Sequence, residues 1–173
     1  MPKANPKHSA VEAELLRLKQ EIALKREFTD ETEALFLSVA YTWSCVERAG
    51  RRFFGGFDIT DAQFNALMAL WDYRERPLKQ HELAELLVVN RASMGGVIDR
   101  LERSGWVRRE VDPEDRRAFR VHLTDAGVAK MKEVRNAYYK LLSAALGDID
   151  ASTLRTVLRF NDAFRTRLAE LSA

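Results

Sequence analysis

The sequence predicts a mainly α-helical chain with one small β-hairpin, and three observations predict it. First, residues 78–87 and 90–104 are two apolar-periodic segments too short to stand alone, joined by a tight turn at Val88-Val89. Second, Gly105 stops the second segment, and Trp106–Val111 and Ala118–Leu123 then alternate as paired strands around the polar turn Asp112–Arg117. Third, the chain on both sides consists of longer runs with apolar residues at helical spacing. Two short helices, a tight turn and a hairpin are the layout of a winged helix-turn-helix, a unit that reads duplex DNA. The expected architecture is that unit with a two-stranded β wing, plus a helical dimerisation domain. Its segments are 1–57 (N-terminal extension and dimerisation helices), 58–124 (the winged unit) and 125–173 (C-terminal dimerisation helices).

Taken in order, Met1 to His8 is rich in Pro and Lys and is expected to fray. Ser9 and Glu12 suit a capping box for a helix over about 10–27, with Val11, Leu15, Leu18 and Ile22 on one face for its own subunit or a partner. Asp30 and Glu33 start a second helix that runs through Leu35, Phe36, Val39, Trp43 and Val46 to Phe54, where Gly55-Gly56 ends it. Thr60 and Gln63 cap a third, with Ile59 and Phe64 as a staple and Phe64, Leu67, Met68 and Trp71 as its buried stripe. A loop over 72–77 leads into the paired short helices. The first of these buries Leu83, Ala84 and Leu87, and Val89 fills the corner. Asn90 caps the second, whose core face is Met94, Val97, Ile98 and Leu101. After the hairpin, Thr124 caps a helix over about 125–146, Gly147–Asp150 breaks it, and a last helix carries Leu154, Val157, Leu158, Phe164, Leu168 and Leu171. The apolar residues of the terminal helices exceed what one thin subunit covers, so a symmetric dimer is expected.

The outward face of the second short helix carries Arg91, Ser93, Gly95, Gly96, Asp99 and Arg100 and no large apolar group. Such a surface fits a major groove, where Arg forks onto guanine and Ser bonds either partner. Each Gly costs about 1 kcal/mol of helix stability against Ala. Either close approach to a groove or the packing of another helix offsets that cost.

The run Asp112-Pro113-x-Asp115-Arg116-Arg117, followed by Val121-x-Leu123-Thr124-x-x-Gly127, resembles the MarR family of bacterial transcription regulators. Glu82-Leu83-Ala84, Asp99-Arg100-Leu101-Glu102 and Ser104-Gly105 extend the match over about 60–127. The resemblance implies a homodimer on double-stranded operator DNA. In it Arg117 enters the minor groove, Asp115 orients its guanidinium, and Arg116 sits near the wing tip. Lys79 is assigned to a phosphate, and Asn90, Arg91, Ser93, Gly95, Gly96 and Arg100 to the recognition helix. Members often have Ser or Thr where Lys79 stands, Gly at Val88, and Thr or Arg at Gly95 or Gly96. Lys79 therefore leaves a helix without a capping hydroxyl, and Val88, β-branched, is expected to force a different turn. The family also implies a small aromatic or anionic effector, with Trp43 and Trp71 as apolar walls and Arg48 and Arg52 as counter-charges; core packing and a solvated helix end explain the same residues.

Composition narrows the remaining classes. The 173 residues, 46% hydrophobic, amount to about one domain per subunit. A net charge of +2 excludes a histone-like binder, and residues 91–120 hold eight Arg against six acids, so placement matters more than total charge. The single Cys45 excludes an internal disulfide framework, lies in an apolar run and is expected to be buried. With no leader-like or membrane-length apolar run, a cytoplasmic protein is expected. His8, His81 and His122 pair with no nucleophile, and no cluster has metal-ligand spacing, so neither an enzyme, a cofactor nor a metal is expected. A winged-helix module for protein interaction is the alternative to a DNA reader.

Overall fold

The structure is a computed structural model that describes residues 6–172. The elements are α1 (Pro6–Glu21), α2 (Glu31–Gly55), α3 (Asp61–Asp72), β1 (Leu78–Lys79), α4 (Gln80–Leu86), α5 (Arg91–Arg103), β2 (Val107–Val111), β3 (Phe119–Leu123), α6 (Asp125–Leu146) and α7 (Ala151–Leu171). The chain divides into two compact units, 1–65 and 66–173, with the division inside α3.

In the first unit α1 departs from expectation at both ends. Of the tail expected to fray, residues 1–5 lie outside the described residues, and Pro6 already opens the helix, so Ser9 is inside it and not its cap. The helix ends at Glu21 and not near 27, because Ala23 turns to φ 52°. Its N–H donates to the Gln20 carbonyl (3.1 Å), and Leu24 N–H donates to that of Lys19 (2.9 Å), which closes a Schellman turn. Asp30 caps α2 by accepting from Glu33 N–H at 2.8 Å. The Arg26 guanidinium, together with the Thr29 N–H, holds the Glu33 carboxyl down to about 2. At the far end Phe54, Ile59 and Phe64 are buried, and Phe54 and Phe64 rings lie 4.8 Å apart. Thr60 and Gln63 form the expected reciprocal cap, at 3.2 and 2.9 Å. Leu35, Phe36, Trp43 and Val46 lie exposed along α2. Cys45 is half-buried, contrary to expectation, with its Sγ 3.1 Å from Arg48 Nη2.

The second unit is built on Leu67, Leu83, Met94, Ile98, Leu101, Val121, Met131 and Val134, all fully buried. Ala66 and Leu70 complete the inner face of α3, while Met68 and Trp71, expected there, are only half-buried. Leu78 and Lys79 are strand and not helix: β1 pairs antiparallel with β3, Leu78 opposite Val121 and Lys79 opposite Arg120. The expected two-stranded wing is formed by β2 and β3, and β1 extends it to a three-stranded sheet in the order β1-β3-β2. Val88 takes the positive φ that the sequence argued against, at 53°. Its N–H donates to Glu85 and that of Val89 to Ala84 (3.2 and 3.0 Å), a second Schellman turn with the β-branched residue 90% exposed. Val89 is exposed and does not fill the corner, and Leu87 is half-buried. Gly105, at φ 72°, closes α5 as expected.

Thr124 ties the sheet to α6: its Oγ1 donates to the Gly105 carbonyl (2.6 Å) and accepts from Gly127 N–H (3.0 Å). A Cβ at Gly127 would fall 1.9 Å from the Trp106 carbonyl oxygen, so only glycine admits this contact. Asp150 caps α7, which buries none of its side chains within the chain. No described helix is long and apolar enough to cross a membrane.

Candidate nucleic-acid interface

The orientation of α5 follows from its core face. With Met94, Val97, Ile98 and Leu101 locked inside, Arg91, Ser93, Asp99 and Arg100 are turned to solvent. Asn90 Oδ1 accepts from Ser93 N–H at 2.7 Å, so this oxygen is occupied by the cap. Arg91 lies 3.3 Å from Glu85 in an exposed pair of the weakly held kind. Gly95 and Gly96 are half-buried. A Cβ at Gly95 would lie 3.2 Å from Gln80 Nε2, so the space over that glycine belongs to α4; one at Gly96 would lie 3.7 Å from an Arg100 nitrogen.

The hairpin is anchored by a residue of the turn motif to which the sequence assigned no role of its own. Asp112 is fully buried, and its Oδ1 accepts from the N–H groups of Glu114 (2.8 Å) and Asp115 (2.9 Å). Its Oδ2 meets Arg120 Nε at 2.6 Å and Lys79 Nζ at 3.3 Å. Burial works to raise this carboxyl, but the bonds from Arg120, the two N–H groups and Lys79 outweigh it and hold it well below the usual carboxylate range. Lys79, expected at a phosphate, is therefore engaged inside the sheet. As expected, it offers α4 no cap; instead Glu82 accepts from its N–H at 2.7 Å. An Asp before Pro at the head of a turn was the available signal.

Asp115 is engaged with the main chain of the wing. Its Oδ1 accepts from the main-chain N–H of Arg117 at 3.0 Å, and its carbonyl from Ala118 N–H at 2.9 Å. These two bonds fix the bend of the wing. Arg116 and Arg117 are exposed, and among the described residues neither they nor Arg100 form an ion pair. Arg109 joins wing to helix: it reaches Asp99 at 2.5 Å and Glu102 at 2.6 Å, while its N–H donates to Glu102 at 3.1 Å. Asp99, read from sequence as facing outward, serves this bridge. Across the hairpin His122 Nε2 lies 3.0 Å from Glu110 but out of hydrogen-bonding alignment, and burial, then Arg108 and Arg120, keep it below its ordinary pKa.

The residues suggested for an effector lie on separate elements. On α2, Trp43, Arg48 and Arg52 are exposed, with Arg48 beside Cys45. In the second unit Trp71 is half-buried with guanidinium carbons of Arg74 and Arg135 at 5.5 and 6.0 Å from its ring, and Arg135 also lies over Tyr139. Arg135 Nε is buried without a hydrogen-bond partner among the described residues. Among the described residues no three His, Cys, Asp or Glu side chains gather as metal ligands.

This geometry has counterparts. The family model described as MarR family matches residues 59–119. The repressor YetL of Bacillus subtilis is 30% identical over 112 residues, 65% of this chain and 67% of YetL. The repressor NicR of Pseudomonas putida is 30% identical over 100 residues, 58% of this chain and 62% of NicR. Among solved structures, a mutant of MarR from E. coli complexed with operator DNA is similar in fold, with a TM-score of 0.69 at 23% identity, covering 80% of this chain and 99% of that one.

Proposed function

The chain belongs to the MarR family of transcriptional regulators, and on that premise we propose that it is a repressor that binds duplex DNA as a homodimer. In this reading α5 enters the major groove, Arg117 enters the minor groove, and a small aromatic or anionic ligand modulates the affinity. The family is one of regulators and not of enzymes.

The observation that carries the reading is the division of charge within the second unit. Three of its acids are engaged internally: Asp112 by Lys79 and Arg120, and Asp99 and Glu102 by Arg109. Arg100, Arg116 and Arg117 stay outward without acidic partners among the described residues. A nearly neutral chain thus keeps these three arginines available to an anionic partner. YetL and NicR, both named as repressors, support that direction of control. Two guanidinium groups within about 6 Å of the Trp71 ring support a ligand that is flat or anionic.

Fluorescence anisotropy with duplexes from upstream of the protein's own gene tests the proposal. One of them is expected to bind more tightly than random duplex. Arg117→Ala is expected to make the dependence of log affinity on log salt shallower by about one unit per wing. Equal affinity for all duplexes would favour a protein-interaction module, and an unchanged slope would remove Arg117 from the interface.

A further inference from the structure

A protein that sets a helix in the major groove and a hairpin in the adjacent minor groove straddles the phosphodiester strand between them. That strand needs a seat. Where the first residues of α4 and α5 approach the wing, a groove of about 410 Å³ is lined by Gln80, His81, Arg91, Arg117 and Phe119. Resting on the DNA reading above, we propose that this groove seats one backbone phosphate in each half-site, with Gln80 and His81 as donors beside the two arginines.

Gln80 lies across α5 because Gly95 has no side chain: a Cβ there would come within 3.2 Å of its Nε2, closer than most side chains sit. Its carboxamide forms no hydrogen bond among the described residues, so both N–H groups remain for a ligand. The lone acid in the groove, Asp115, is turned onto the Arg117 N–H, and the two arginines outnumber it, so the lining is net cationic. Phe119 and its cross-strand partner Val111 are both exposed, an apolar pair on the wing. Phe119 is the one that borders the groove, and a deoxyribose is the apolar part of the strand that would rest on it. Lys79, the neighbouring cation, is held by Asp112, and the task of meeting phosphate passes to the next two residues.

The test uses the full-length protein and a duplex that the wild type retains, with uncharged methylphosphonate placed at one linkage at a time. One linkage per half-site is expected to weaken wild-type binding about tenfold, as for a hydrogen bond to a charged group. The Gln80→Ala/His81→Ala double variant is expected to bind the unmodified duplex more weakly by a similar factor and to lose its sensitivity to that linkage. Gln80→Glu preserves shape and is expected to bind more weakly than Gln80→Ala, because it opposes the phosphate. Gly95→Ala displaces Gln80 and is expected to blunt the same sensitivity. The seat is overturned if the double variant keeps every linkage sensitivity, or if Gln80→Ala alters preference at one base pair only, which makes it a base reader. A wild type that binds no duplex overturns the DNA reading itself and is seen before any variant is made.

Discussion

Val88 holds a conformation that its side chain resists. A left-handed residue brings Cβ against the following carbonyl at a cost of about 1–2 kcal/mol, and Val88 takes φ 53° while burying almost nothing in return. The turn forms because Val88 and Val89 N–H groups close the end of α4 and because Ala84, buried behind them, fixes where the next helix must start. Val88→Gly removes the clash and gives back part of the gain, since glycine adds about 0.4–1 kcal/mol of freedom to the unfolded chain. The expected outcome is a net stabilisation of about 0.5–1 kcal/mol in urea unfolding. A destabilised variant would mean that Val88 makes contacts in the folded chain that its exposure does not reveal.

At the scale of elements, the wing depends on Asp112. Because its folded carboxyl ionises at lower pH than the unfolded one, the unfolded chain takes up the proton first. The stabilisation is therefore present in full above about pH 4 and is lost as pH falls below it. Melting temperatures of wild type and Asp112→Asn are expected to differ at pH 7, with the gap beginning to narrow as pH falls below about 4; a gap that does not change with pH would remove the charge from the explanation. The same carboxylate shows why some elements were legible in the sequence and others were not. The register of α5 and the caps at Asp30, Thr60, Asn90 and Thr124 rest on neighbours a few residues apart, and they were read correctly. The strand at Leu78–Lys79 is defined by β3 and Asp112, more than thirty residues away, and local pattern gave it to a helix. The ends of α1 and α4 are Schellman turns on Ala23 and Val88, without the glycine that marks such turns, so only Gly105 was predicted. In the candidate site, Arg91, Arg100, Arg116 and Arg117 were legible as outward residues. The partners of Lys79 and Asp115 were not legible, because a charge's partner is a tertiary fact: one meets a buried carboxylate and the other a main-chain N–H.

For the whole molecule, the decisive feature is apolar surface that the single chain leaves uncovered. The 21-residue helix α7 has no buried side chain, and Leu154, Val157, Leu158, Leu168 and Leu171 are exposed along it. On α6, Tyr139, Leu141 and Leu146 are exposed, and on α2, Leu35, Phe36, Trp43 and Val46. Solitary exposed apolar residues are ordinary, whereas series repeating on one helix after another mark an association surface. A second copy supplies an identical apolar surface, and a closed two-fold pair covers both without leaving an open end. Sedimentation equilibrium at micromolar concentration is expected to give a dimer. Val157→Glu with Leu158→Glu is expected to give a monomer whose second unit keeps its fold, since both residues are exposed and α7 contributes no buried residue to the core of its own chain. Joining two half-sites through one dimer raises affinity by about 10²–10⁴ over single engagement, so the monomer is expected to lose about that factor on a two-half-site duplex and almost nothing on a single half-site. Equal losses on both duplexes would show that the substitutions damage the DNA-reading unit itself, and a variant that stays dimeric would move the interface away from α7.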